Sequence, residues 1–242
     1  MKVYFVGFGP GDKELLTVKA WKLLESADVI IYPGSIIERE ALDDFKAEKI
    51  DSHGMSLEEI IDLIEKAVRD GKTVVRLQSG DPSVFGALWE QIRELKKRGI
   101  ESEIIPGVSS VFAASACLGV ELTSPDLAGI AIVRPKGDTL EEDYLEELAK
   151  LPLTLVILLG AGKIDYIVEK VGKVRGFEEP CAVVYRATQK NEKKFFCKLG
   201  ELVDRMKSEG IRRTAVIIIG KALLGYEGRS HLYSGSLLRE GR

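Results

Sequence analysis

The run Thr73-Val74-Val75-Arg76-Leu77 is apolar and of strand length, and it leads into Ser79-Gly80-Asp81-Pro82-Ser83-Val84-Phe85-Gly86, after which a helical pattern starts at Ala87. A short apolar run that ends in turn-forming residues and is followed by helical periodicity predicts a buried strand handing over to a helix. In an open parallel sheet the loops leaving the carboxyl ends of strands line the ligand crevice, and a glycine there lets a ligand approach the backbone. Gly80 and Asp81 are therefore candidates for small-molecule contact, with Asp81 able to accept from an amine or a ribose hydroxyl. The same Gly-Asp-Pro is also an ordinary turn former. No Gly-Lys-Ser/Thr stands nearby to cradle a triphosphate.

The strand-to-helix order is present from the start of the chain. Val3-Tyr4-Phe5-Val6 reads as a strand running into Gly7-Phe8-Gly9-Pro10-Gly11-Asp12. That loop is not a dinucleotide fingerprint, because Asp12 stands where the third glycine belongs and Pro10 removes a backbone N–H. Thr17 is placed to cap a helix through Ser26, and Asp28 to Tyr32 reads as a second strand, which makes a β-α-β beginning. Ser52-His53-Gly54-Met55 precedes a helix in which Leu57, Ile60, Ile61, Ile64, Ala67 and Val68 share one face. His53 is a candidate base, although a lone histidine in a polar loop is more often only hydrogen-bonded there. A helix over Ala87 to Arg98 and a strand over Ser102 to Ile105 lead to Pro106-Gly107-Val108-Ser109-Ser110. Here two hydroxyls open a further helix, so Ser109 and Ser110 can cap it, border a ligand, or do both.

Glu121-Leu122-Thr123-Ser124-Pro125-Asp126 is a polar, proline-containing link and predicts two α/β domains, 1–121 and 127–242. In the second half, strands are predicted over Gly129 to Arg134, Leu153 to Leu159, Cys181 to Tyr185 and Ala215 to Ile219. Helices are predicted over Leu140 to Lys150 and Glu201 to Ser208, and Lys193 to Lys198 has the alternation of an edge or hairpin strand, giving a mixed sheet flanked by helices. Arg134 and Arg186 each follow an apolar strand and are candidates to fork onto a substrate carboxylate.

Totals exclude several classes. With 242 residues and a formal net charge of −3 the chain has no global positive field that would make nucleic acid the default partner. Cys117, Cys181 and Cys197 are widely spaced with no Cys-x-x-Cys pair, which argues against a disulfide framework and against a zinc site, and predicts three small buried hydrophobes. No apolar run reaches the length of a membrane helix and the first residues lack a signal-peptide core, so the expectation is a soluble cytoplasmic protein with no bound metal.

Taken together, VYFVGFGPGDKELLT from Val3 to Thr17, Ala27 to Tyr32, Gly80-Asp81-Pro82 with Phe85-Gly86, Pro106 to Ser110 and Tyr185-Arg186-Ala187-Thr188 resemble the tetrapyrrole methylases, S-adenosylmethionine-dependent enzymes of cobalamin and sirohaem biosynthesis. The branch most alike is that of the precorrin-4 C11-methyltransferases, counting the cobalt-precorrin-4 form. Tyr32 to Ile36, Ser52 to Met55, Ser124 to Leu127, Gly210-Ile211-Arg212 and Arg229 to Tyr233 carry that likeness. Pro33 stands where uroporphyrinogen-III methyltransferases have an aspartate, and the chain ends Arg239-Glu240-Gly241-Arg242 in place of the His-Gly-Tyr-Arg common in the branch.

The resemblance implies two α/β domains with an active-site cleft between them, S-adenosylmethionine bound there in a folded conformation, and a homodimer. It implies cofactor contacts from Pro10, Ser79, Gly80, Asp81, Val84, Phe85, Ser109, Ser110, Leu159, Ala187 and Ala215. A polycarboxylate tetrapyrrole would be the substrate, held by Arg134 and Arg186, with Tyr32 and His53 as candidates for proton transfer. Other methylases of the fold, diphthine synthase among them, and a non-catalytic adenosine-nucleotide-binding regulator are the alternative readings.

Overall fold

The computed structural model describes residues 2–137 and 140–227; the tail segments Arg229 to Tyr233 and Arg239 to Arg242 lie outside the described residues. The chain folds as two compact units, one of Met1–Ala113 with Arg186–Asn191 and one of Ala114–Tyr185 with Glu192–Arg242.

The first unit is built on β1 (Lys2–Gly7), α1 (Val18–Ser26), β2 (Val29–Tyr32), β3 (Glu48–Asp51), α2 (Leu57–Arg69), β4 (Val74–Gln78), α3 (Leu88–Lys97) and β5 (Glu101–Ile105). Its five strands are all parallel, in the order β3-β2-β4-β1-β5. Alternation along β1 sends Val3 and Phe5 to the face covered by α2 and α3, where they pack with Ile61, Ile64 and Leu95. Val6 goes to the other face, against Ala20 and Leu24 of α1. Both helix starts are fixed by side chains: Thr17 Oγ1 accepts from Ala20 N at 3.1 Å, and Ser56 and Glu59 form a reciprocal capping box.

β1 feeds β2 on one side of the sheet, whereas β4, its neighbour, feeds β5 at the opposite edge. Their adjacent carboxyl ends therefore form a topological switch point, the place where ligands lie in open α/β sheets.

Helix α4 (Ser110–Leu118) runs across the division between the two units. The second unit holds β6 (Gly129–Val133), α5 (Leu145–Ala149), β7 (Leu153–Ile157), α6 (Ile164–Arg175), β8 (Pro180–Tyr185), β9 (Lys193–Lys198), α7 (Leu202–Ser208) and β10 (Ala215–Ile219). The sheet is mixed as expected, in the order β6-β7-β10-β8-β9, with only the β6–β7 pair parallel.

Several details differ from the sequence expectations; of the three cysteines expected to be buried, Cys117 and Cys197 are only half-buried, and Cys181 alone is in the core. The helix expected from Leu140 is confined to α5, because Asp143 accepts from Lys136 N at 2.6 Å and from Leu145 N at 3.2 Å and so holds the preceding residues in a loop. β3 and α6 were not anticipated. α6 carries β-branched residues and an interior glycine, both poor helix formers, and is held by burying Ile164, Ile167, Val168 and Val171 on the sheet. Among the described residues no helix is long and apolar enough to cross a membrane.

Candidate ligand site

Three loops of the first unit meet at the switch point, and glycine makes the meeting possible. A Cβ built on Gly107 would lie 2.3 Å from Gly80 O and 2.8 Å from Gly7 Cα, so the segments after β1, β4 and β5 cross backbone to backbone. Gly9 and Gly80 add a two-way bridge, with N–H···O distances of 3.2 and 2.8 Å. Asp81 locks the crossing. Its Oδ2 accepts from Gly107 N at 2.9 Å, and its Oδ1 accepts from Ser83 N at 2.9 Å and from the Ser83 hydroxyl. Burial pushes the Asp81 carboxyl up, but the Ser83 hydroxyl and the two backbone N–H groups outweigh it and hold the group below its usual range. The carboxylate read from sequence as a ligand contact thus serves first as a clamp between two loops.

A cavity of about 710 Å³ opens beside this crossing, within the range of small-molecule sites. Phe8 to Lys13 line it after β1, Ile36 to Ala41 except Arg39 after β2, and Ser79 after β4, with Thr188 to Asn191 closing one side. That last segment is docked by Asp12 N donating to Thr188 Oγ1 at 3.1 Å and by Gln189 Nε2 donating to Pro10 O at 3.1 Å. Gln78, the last residue of β4, is buried, and its Nε2 finds no acceptor among the described residues.

Of the anticipated site residues, Pro10, Ser79, Gly80, Asp81, Val84, Phe85, Ser109, Ser110 and Ala187 all belong to this first unit. Pro10 and Ser79 line the cavity, and Ala187 is buried immediately before the docked segment. Ser109 Oγ accepts from Val111 N at 3.3 Å, so one of the two serines caps α4. Phe85 and Ala87 both have positive φ, of 53° and 47°, and present the loop in a conformation side chains rarely adopt.

Leu159, Ala215 and Arg134 belong to the second unit. The β7–β10 ladder ends with Ile157 opposite Ile217, and Leu159 follows β7 just beyond that end while Ala215 opens β10 there; β6 runs parallel beside β7, so Arg134 emerges at the same end of the sheet. Leu159 is 66% exposed, and its φ is 55°. Arg186, with φ of 48°, donates from Nη1 to Glu38 Oε1 at 2.9 Å.

Tyr32 ends β2 and is buried. His53 is exposed, and its backbone N–H donates to Asp51 Oδ1 at 2.8 Å. The same oxygen accepts from Gly34 N at 2.8 Å. The His53 N–H and, against the opposing effect of burial, the Gly34 N–H hold the Asp51 carboxyl low, so Asp51 ties the loops carrying Tyr32 and His53.

One residue was hidden inside an apolar run. Arg76 sits in the middle of β4, is 6% exposed, and among the described residues donates to neutral groups: Gln91 Oε1 at 3.1 Å, Ser52 Oγ at 3.0 Å and Ile31 O at 3.4 Å. Ser52 in turn donates to Tyr32 O at 3.1 Å, and Gln91 Nε2 to Ala87 O at 3.1 Å, so one guanidinium braces the loops after β2, β3 and β4. Desolvation pushes Arg76 down to about 10, still charged at neutral pH. Below pH 10 folded and unfolded chains both hold the proton, so the burial cost is fully present there. Arg76→Lys keeps the charge but not the fork, leaving a buried acceptor unpaired. A loss of about 1.5–3 kcal/mol in urea unfolding is expected; an unchanged midpoint would contradict the bracing role.

With this geometry in place, comparison with known proteins is specific. The model of the tetrapyrrole (corrin/porphyrin) methylases matches residues 2–203. A cobalt-precorrin-4 C(11)-methyltransferase of Methanocaldococcus jannaschii is 48% identical over 249 aligned residues, covering 100% of this chain and 96% of that protein. Among solved structures, a cobalt precorrin-4 methyltransferase of cobalamin biosynthesis matches with a TM-score of 0.88 and 38% identity, covering 92% of this chain and 95% of that one. The uroporphyrin-III C-methyl transferase of Thermus thermophilus, solved with S-adenyl homocysteine, matches with a TM-score of 0.79 and 34% identity, covering 93% of this chain and 100% of that one. By its glycine crossing, its switch-point cavity and these likenesses along its length, the chain belongs to the tetrapyrrole (corrin/porphyrin) methylases.

Proposed function

We propose that the chain is an S-adenosylmethionine-dependent methyltransferase that methylates C11 of precorrin-4 or its cobalt-bound form. The observation that carries this reading is the 48% identity, across the whole of this chain, to an enzyme named for that reaction. When bound, S-adenosylmethionine supplies a sulfonium methyl, which an electron-rich ring carbon takes by direct displacement to leave S-adenosylhomocysteine. No covalent protein nucleophile is required, and the protein's task is to hold carbon, methyl and sulfur in line.

The residues present suit such a donor. A sulfonium ligand needs shape and backbone hydrogen bonds more than counter-charge, and the loops after β1 and β4 offer glycine backbone, Pro10 and Ser79. In this reading Gly80, Asp81, Val84, Phe85, Ser109, Ser110, Leu159, Ala187 and Ala215 complete the donor site. Asp81 acts there by fixing the backbone of its own loop and of Gly107. Arg134 and Arg186 meet the carboxylates of the macrocycle, Arg186 by exchanging Glu38 for the substrate. Tyr32 or His53 assists the proton transfer that accompanies methylation. A homodimer in the cytoplasm is part of the same proposal.

Calorimetric titration with S-adenosylhomocysteine and with ATP separates this from a nucleotide-binding regulator. Saturable heat with the former and none with the latter is expected. The reverse would overturn the proposal.

A further inference from the structure

The three cysteines are far apart in sequence, yet the fold brings two of them together. β8 and β9 form an antiparallel hairpin in which Cys181 stands directly opposite Cys197, sixteen positions away in sequence, and their Sγ atoms are 3.3 Å apart. Directly opposed residues of an antiparallel pair have Cα atoms roughly 4.5–5.5 Å apart, which lies inside the range a disulfide spans.

The two thiols are not equivalent. Cys181 is 1% exposed, whereas Cys197 is only half-buried and lies on β9, the edge strand of its sheet. Cys181 Sγ donates to Cys197 O at 3.3 Å and touches Cys197 Sγ; the thiol–thiol contact holds the Cys197 thiol below its usual value and, together with burial, pushes Cys181 up. Cys197 is thus the more accessible and the more readily ionised partner, the attributes of an attacking thiolate, and Cys181 is seated to resolve it.

We propose that Cys181 and Cys197 form an oxidation site, which a hydroperoxide converts into a cross-strand disulfide. The Cys197 thiolate attacks the distal oxygen of the peroxide, the O–O bond breaks, and the alcohol or water leaves while Cys197 becomes a sulfenic acid. Cys181 sulfur then attacks Cys197 sulfur, the S–O bond breaks, and water leaves with the Cys181 proton. Two thiols give up two electrons in all, and the peroxide is reduced by two. The product staples the β8–β9 hairpin at the end opposite its loop, and that loop, residues 186–192, includes Thr188, Gln189, Lys190 and Asn191, which line the cavity of the first unit. This inference rests on the hairpin alone and holds whichever substrate the enzyme methylates.

The test uses the full chain, reduced and freed of reductant under anaerobic conditions, then treated with hydrogen peroxide and, after the peroxide is removed, alkylated with N-ethylmaleimide in denaturant so that every free thiol reacts. The untreated protein is expected to take three adducts, one for each cysteine in the sequence. The treated protein is expected to take one adduct, at Cys117, with a peptide linking Cys181 to Cys197, and to melt roughly 5–10 °C higher. In Cys181→Ser, peroxide is expected to leave a sulfenic acid that dimedone traps at Cys197, with no rise in melting temperature. Three adducts after treatment, a bond that includes Cys117, or dimedone labelling of Cys117 in preference to Cys197 would overturn the proposal. The mass measurement on the unaltered chain decides the matter even if the variant does not fold.

Discussion

Gly107→Ala is expected to cost the protein at least about 3 kcal/mol, the upper end of what overpacking normally does. The added methyl would meet Gly80 O at 2.3 Å, Gly7 Cα at 2.8 Å and Gly7 C at 2.9 Å, and all three are backbone atoms with no rotamer to change. Relief requires one of three strand-end loops to move, and the sheet registers on either side oppose that. Gly7→Ala meets the same crossing from the other side, at 2.6 Å from Gly107 N. Gly162→Ala is the matched control, since its nearest neighbour would be Arg212 O at 3.8 Å, and its effect is expected within about 0.5 kcal/mol. Urea midpoints for the three variants check this. Equal midpoints for Gly107→Ala and Gly162→Ala would show that the crossing is looser than described.

The second large effect is expected at Asp81. Asp81→Ala removes the acceptor for Gly107 N and for both Ser83 donors, and leaving a partly buried N–H unpaired costs about 1–3 kcal/mol. Asp81→Asn is expected to rescue little, because an amide has one oxygen where the carboxylate uses two, and its NH₂ would face a donor. The pH dependence has a definite sign. The folded carboxyl is held below its usual value near 3.8, so its contribution is fully present above that value and is lost as pH falls through the lower, folded one. Unfolding curves between pH 5 and pH 2 are therefore expected to converge for the wild type and Asp81→Ala as acid is added. A gap that widened toward low pH would contradict the clamp. At neutral pH the variant is also expected to bind S-adenosylhomocysteine more weakly, since the loops after β4 and β5 are no longer tied.

Much of this was legible in the residues. Apolar runs ending in Gly, Pro and Ser placed the strands of the first unit except β3, and Thr17 marked the start of α1 correctly. β3 escaped because Glu-Lys-Ile-Asp at a sheet edge has neither an apolar run nor clean alternation. α6 escaped because its residues favour strands and only packing against the sheet makes them helical. Within the site, glycine and Asp81 announced themselves by type and spacing, but what Asp81 does with its oxygens depends on Gly107, twenty-six residues away. Arg76 gave no local signal, since one charge in a strand-length apolar run reads as an interruption. The meaning of the Cys181–Cys197 pair lay in strand register, which spacing alone does not reveal.

The central claim is methyl transfer to one ring carbon, and locating the transferred methyl tests it most directly. The purified chain is incubated with methyl-labelled S-adenosylmethionine and either cobalt-precorrin-4 or metal-free precorrin-4, and the product is isolated for carbon NMR. The account predicts a single labelled methyl at C11 with at least one of the two substrates. Label at another ring carbon, or no transfer where the Methanocaldococcus jannaschii relative acts on the same preparation, would contradict it.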